Sequence, residues 1–339
     1  MNSLERIMRV LNNQKPDRIP VTPILLLQGA KMLGLGLEEY FSKSEYMVQG
    51  QQKLVEKYDH DAVYGIPHIV EDIEAFGGKL LYFESGPPSV GKLAWNSWDD
   101  VPSKSPDPLQ HPAMQRTLST IKSLAKVYKG EKLILGAVIA PFSLPSMLIG
   151  TERWMELLWE DELIRGPIMK QTMNVCMDFC IRWANAQLQA GADTVVVVDG
   201  MASATCIMRE QFETLALPIL KETIHSISGT VAFEPLGSIE PFIDLVGDIG
   251  ASLILLEHRD NLKRCKQVLD GKMAIMGNLN NIEMIRWEKD TTRRKALEVL
   301  KQIGDESGFI LSNQGPEIPW DVSEEVIQTI VDTAKSWPI

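Results

Sequence analysis

At 339 residues, with 45% hydrophobic and 23% charged side chains, the chain has ordinary globular composition and ample material for a core. Its formal charge of −11 argues against nucleic acid, which needs a basic footprint, and disfavours anionic membrane surfaces. No apolar run approaches the roughly 20 residues of a membrane span, so the expectation is a soluble, cytoplasmic protein that acts on a small molecule or meets a protein partner.

The opening, MNSLERIMRVLNNQKPDRIP, carries charges where a signal peptide needs an apolar stretch. Beyond it, short apolar runs alternate with amphipathic segments. Strands are predicted over 19–24, 61–64, 133–140, 194–199, 230–234, 252–257, 273–277 and 309–312. Runs such as VVVV and LILL are those of buried parallel strands, covered on both faces. Helices are predicted over 163–189, 209–226, 239–248, 261–269, 291–303 and 323–337, the first ending at Gly191, where a helix C-terminus favours glycine. Four cysteines without a CxxC pair are too few for a disulfide scaffold, and Cys176 and Cys180, four apart on one helical face, read as small core residues.

Eight strands with intervening helices predict an α/β fold, a (β/α)8 TIM barrel. The rival open sheet would carry a glycine fingerprint after its first strand, and none is present. Residues 65–132 fit the rhythm least well. Gly77-Gly78, Gly86-Pro87-Pro88 and the prolines from Pro102 to Pro112 predict an irregular excursion over the barrel mouth, held down by Trp95 and Trp98. No linker or repeat divides the chain, so residues 1–339 are expected to form one domain.

A barrel of this kind places reactive groups where its strands end. The polar residues there are Gln28, His68, Asp199, Glu234, the Glu257-His258 pair, Asn278 and the Ser312-Asn313-Gln314 tract. Asp199, in TVVVVDG, could orient a substrate or act as a base, or simply form a turn. Glu234 ends a buried strand and needs a partner or a ligand. His68 lies in the excursion, where a surface histidine is the plainer reading. No Walker loop, GxSxG or HExxH motif occurs, so nothing points to phosphoryl transfer or serine hydrolysis.

The segments ERIMRVLNNQKPDRIPV, EDIEAFGGKL, VIAPFSLPSMLIGTERWMELLWED, LQAGADTVVVVDGMAS, MAIMGNLNNIEMI and GFILSNQGPEIPWD resemble, in order, those of the uroporphyrinogen decarboxylase superfamily, which includes cobamide-dependent methyltransferases. The resemblance runs essentially end to end and implies the same barrel. Its decarboxylase branch carries arginines after the first strand. Here that place reads VTPILLLQGAKM, with one lysine and no arginine, which disfavours porphyrinogen decarboxylation. The thiol-methylating branch holds zinc on a His-x-Cys pair and a late cysteine; Glu234-Pro235-Leu236 and Pro316 stand in those places.

The resemblance therefore implies a divergent methyltransferase that moves a methyl group from a small methylated donor, a methyl ether first, to the cobalt of a corrinoid on a separate protein. Asp199, Glu234, His68 and Asn278 are the expected catalytic groups, and Gln28, Asp72 and Asn313 the expected substrate contacts. If zinc is kept, Glu234, Glu257 and His258 are its expected ligands. Homodimerisation is common in the family and is carried as an expectation. Two alternatives stay open: a decarboxylase or lyase acting on a small acid, with Asp199 or Asp72 stabilising a cation, and a non-catalytic corrinoid-binding homologue.

Overall fold

The computed structural model describes residues 1–304 and 307–338. β1 (Ala62–Tyr64) is followed by a separate antiparallel hairpin, β2 (Lys79–Leu81) and β3 (Ser89–Lys92). Then come β4 (Leu133–Ile139), β5 (Thr194–Val198), β6 (Thr230–Glu234), β7 (Leu253–Leu255), β8 (Ala274–Leu279) and β9 (Phe309–Asn313). β1 and β4 to β9 pair in that order, all parallel, with helices between them.

The predicted first strand, 19–24, is reduced to one parallel bridge between Val21 and Leu311. Thr22 N donates to Leu311 O at 3.0 Å and Leu311 N to Pro20 O at 2.9 Å, while Val21 O accepts from Asp61 N at 2.9 Å. This segment thus joins the two edges of the sheet and closes the ring. Pro20 and Pro23 explain its brevity, because neither has an N–H to extend a ladder.

Side chains along each strand alternate between two apolar layers, as the two-residue period requires. Tyr64, Leu135, Ala137, Val196, Val198, Ala232, Leu255, Met276 and Ile310 meet inside the barrel. Val63, Ile134, Val138, Val195, Val197, Phe233, Ile254 and Leu311 pack outward against the helices. By this alternation Glu234, two residues after Ala232, points inward, whereas Asp199, two after Val197, points outward.

The excursion is shorter and more ordered than expected. A helix at Pro112–Tyr128 buries Met114, Leu118, Ile121 and Leu124. Pro112 occupies its first position, where the missing N–H costs nothing, so a residue read as a loop signal marks a helix start. Trp95 is buried, and Trp98 packs against Trp154 with ring centroids 6.3 Å apart. The 209–226 helix is interrupted by a π-helical stretch at Phe212–Ala216, and the 239–248 helix shrinks to Ile243–Val246 after a 3₁₀ turn.

At the N-terminal end of the strands, Asp61 fastens the ring. Its carboxylate accepts from Arg6 Nη1 at 3.0 Å, from Arg18 Nη1 and Nη2 at 2.8 and 2.9 Å, and from Val21 N at 2.8 Å. Burial alone would raise its pKa, but the Arg18 bond and charge prevail and hold it below the ordinary value.

Candidate active site

Glu234 borders two spaces. One is a chamber of about 40 Å³ inside the barrel, walled by Ile24, Leu26, Ile66, Ala137, Val198, Leu255, Met276 and Pro316 among others. Its polar residues are Thr22, Tyr64 and Glu234; Tyr64 OH donates to Thr22 O at 3.3 Å and Thr22 Oγ1 to Met276 Sδ at 3.5 Å. Glu234 Oε1, by contrast, has no hydrogen-bond partner among the described residues. The other space, about 110 Å³, is a polar cleft lined by Thr205, Leu236, Glu257, Arg259, Gln314 and Gly315 as well as Glu234.

Two features fix the state of this carboxyl. Burial, with the nearby Glu317 carboxyl adding to it, pushes Glu234 up to about 8, so it carries its proton at neutral pH. Gly315 supplies the room, since a Cβ there would fall 1.5 Å from Glu234 Oε1. Glu317 is itself buried and pushed up to about 7 by desolvation. The sequence reading passed over Glu317, although an acid in the loop after the last strand was a visible signal.

The other expected residues divide by whether their polar atoms are satisfied. Asp199 Oδ1 accepts from Ser143 Oγ at 2.5 Å and from Ala202 N at 3.3 Å, while Oδ2 is unpartnered; burial pushes the acid to about 7. Gln28 Nε2 donates to the carbonyls of Ile318 and Pro319 at 2.8 and 3.1 Å, leaving Oε1 unpartnered. His68 is buried and not at the surface, edge-on to Phe41 and Tyr82, with neither ring nitrogen bonded among the described residues. Burial, with the Arg116 charge, lowers it to about 3, so the ring is neutral.

Three expected contacts are structural ties. Asp72 accepts from Ile139 N at 2.9 Å and from Trp183 Nε1 at 3.0 Å, binding the excursion to β4 and to the helix Glu162–Ala190. Asn278 donates to the carbonyls of Glu257 and Asp260 at 3.0 and 3.1 Å. Asn313 accepts from Ile24 N at 2.9 Å and donates to Gln314 O at 2.6 Å. Each links neighbouring segments, and none of the three lines the chamber.

The expected zinc set does not assemble. Glu257 is paired with Arg259 Nε at 2.9 Å and His258 Nδ1 at 2.7 Å, and that nitrogen also lies 2.6 Å from Gln314 Oε1. Among the described residues no three His, Cys, Asp or Glu side chains are grouped to hold a metal ion. Three carboxylate or imidazole ligands are the least a protein zinc site uses, so this donor set does not fit zinc. The physical reason is competition: a guanidinium and an amide already occupy the two outer groups.

Comparison with known proteins agrees with the fold. A methyltransferase from Methanosarcina mazei superposes with a TM-score of 0.83 at 19% identity, covering 98% of each chain. In sequence, the methylcobamide:CoM methyltransferase MtbA of Methanosarcina acetivorans is 26% identical over 98% of this chain and 97% of its own. A uroporphyrinogen decarboxylase of Aromatoleum aromaticum is 21% identical over 82% of this chain and 78% of its own. The sequence profile of the uroporphyrinogen decarboxylase (URO-D) family matches residues 2–337, and the chain belongs to that family.

Proposed function

We propose that this protein is a corrinoid-dependent methyltransferase that takes the methyl group of a small O-methyl donor and passes it to a corrinoid carried by a partner protein. The observation that carries the reading is Glu234, a buried carboxyl with an oxygen unpartnered among the described residues, which borders a mostly apolar chamber and whose pKa burial pushes up to about 8. The nearly full mutual coverage with a methylcobamide:CoM methyltransferase supports it. Porphyrinogen decarboxylation is disfavoured, because among the described residues no lysine or arginine lines the chamber to meet the carboxylates of a porphyrinogen.

The partner's corrinoid supplies a strongly nucleophilic cobalt for the methyl carbon. Everything else falls to the chain. The apolar wall orients the donor and excludes water, which strengthens each polar contact within. As the carbon–oxygen bond breaks, its electron pair goes to the departing oxygen, and Glu234 supplies that oxygen with its proton. The resulting carboxylate recovers a proton from solvent through the cleft on its other flank. A neutral acid does what an ionised carboxylate could not, since negative charge there would oppose the leaving group.

The test is donor-dependent consumption of cob(I)alamin by the purified chain, followed by absorbance, with Glu234→Gln as control. Consumption that needs both donor and chain, and is lost in the variant, is expected. Release of carbon dioxide from an acid substrate, with no consumption for any O-methyl donor, would overturn the reading.

A further inference from the structure

Glu257 and His258, which do not assemble with Glu234 into a metal site, are held by a chain of hydrogen bonds that begins elsewhere in the fold. The Glu317 carbonyl can only accept, so the Asn281 atom 2.6 Å from it is Nδ2, and the other amide atom is Oδ1. That oxygen turns Gln314 Nε2 towards it at 2.9 Å and leaves Gln314 Oε1 to face His258. The His258 backbone N–H, donating to the same Oε1 at 3.0 Å, fixes that orientation independently. His258 Nδ1 therefore lies between two acceptors, Gln314 Oε1 at 2.6 Å and the Glu257 carboxylate at 2.7 Å, and must carry a proton. In the neutral ring this leaves the lone pair on Nε2. Among the described residues nothing bonds Nε2, and the side chain is 34% exposed, while Glu257 and Gln314 both line the cleft that Glu234 borders.

We infer that His258 is the relay through which the cleft exchanges protons with solvent, and that Asn281 and Gln314 position its ring. The inference rests on the methyl-transfer reading and adds the route of its proton. Moving a methyl group from an ether oxygen to cobalt breaks the carbon–oxygen bond and leaves the electron pair on oxygen. One proton per turnover converts that oxygen to a hydroxyl, whichever group hands it over. His258 Nε2 takes this proton from solvent and becomes an imidazolium. Glu257 stabilises that cation across Nδ1, tempered by Arg259, which shares the carboxylate at 2.9 Å. Nε2 then passes the proton to water in the cleft, and the ring returns to its neutral form. An imidazole fixed in one tautomer does this without rearranging, since the nitrogen that gains and loses the proton is the one without a protein partner.

Two measurements on the full chain test this. Nitrogen-15 NMR of the ring in alkaline buffer, assigned by the loss of its signals in His258→Gln, should show Nδ1 protonated and Nε2 unprotonated. The opposite tautomer would overturn the inference. His258→Ala should slow donor-dependent consumption of cob(I)alamin at least about tenfold in dilute buffer. Added phosphate, a small proton carrier, should restore much of that loss and leave the wild type unchanged. A residue that only supports the fold would give a loss that phosphate does not repair, and that result, or an unchanged rate, would overturn the relay. No consumption by the wild type with any O-methyl donor, alongside the Nδ1-protonated ring, would instead remove the methyl-transfer reading and the relay with it, and leave the placement of the ring standing.

Discussion

The two ends of the barrel treat a buried carboxyl in opposite ways. At the N-terminal end, Asp61 is fully buried and accepts four hydrogen bonds, three of them from guanidinium groups. At the C-terminal end, Glu234 is also buried, but among the described residues it makes no ion pair and its Oε1 has no partner; Arg259, which lines the same cleft, is paired with Glu257. The first arrangement favours the ionised form and the second the neutral one. One end is closed by its polar groups; the other holds polar groups in reserve. The same division recurs among the sequence-selected residues, where Asn278, Asn313 and Asp72 are hydrogen-bonded, while Gln28, His68, Asp199 and Glu234 each keep an atom unpartnered among the described residues.

This contrast can be broken from either side. Glu234→Gln should lower methyl transfer by about 10²–10⁴-fold, the usual worth of a positioned general acid, with the fold intact by circular dichroism. Asp61→Asn should do the reverse, costing about 3–5 kcal/mol in denaturant unfolding, because Arg6 and Arg18 lose their buried partner. Gly315→Ala drives a Cβ into the Glu234 carboxyl and should cost about 1–3 kcal/mol, with activity falling further than stability accounts for.

The pH dependence sharpens the comparison. Glu234 binds a proton more tightly folded than unfolded, so the folded chain holds the extra proton between about 4.5 and about 8. Its contribution to stability is complete below that window and is lost as pH rises through it, by at most roughly 1.4 kcal/mol per pH unit. Asp61 has the opposite sign: its contribution is present above its unfolded value and fades only in acid. Denaturant midpoints measured from pH 5 to 8 should therefore fall for the wild type and fall less steeply for Glu234→Gln, in which Asp199 and Glu317, also raised by burial, still titrate. The smallest effect belongs to the solvent-facing pair at the cleft. Arg259→Ala should change stability by less than about 1 kcal/mol, since Arg259 is more than half exposed.

Much of this was legible in the sequence. Buried parallel strands announce themselves as apolar runs, and seven of the eight predicted segments are strands of the ring. The strand-end rule also brought Glu234 to notice, because a charged residue closing such a run has few reasons to be there. What failed was the first strand, where Pro20 and Pro23 outweighed an apolar pattern, and His68, whose surface placement was refuted by aromatic neighbours from distant segments.

The sequence by itself determined the alternation of strands and helices, and with it the end of the barrel at which polar residues gather, because period and burial are local properties of the chain. It could not decide what each polar atom touches. Whether Glu257 is free to bind a metal or is held by Arg259, whether Asp72 faces a ligand or Trp183, and whether Glu234 is charged or neutral depend on side chains brought together from far along the chain. Hydrogen bonding and desolvation are set by that proximity, so the chemistry of the site was decided only by the tertiary structure.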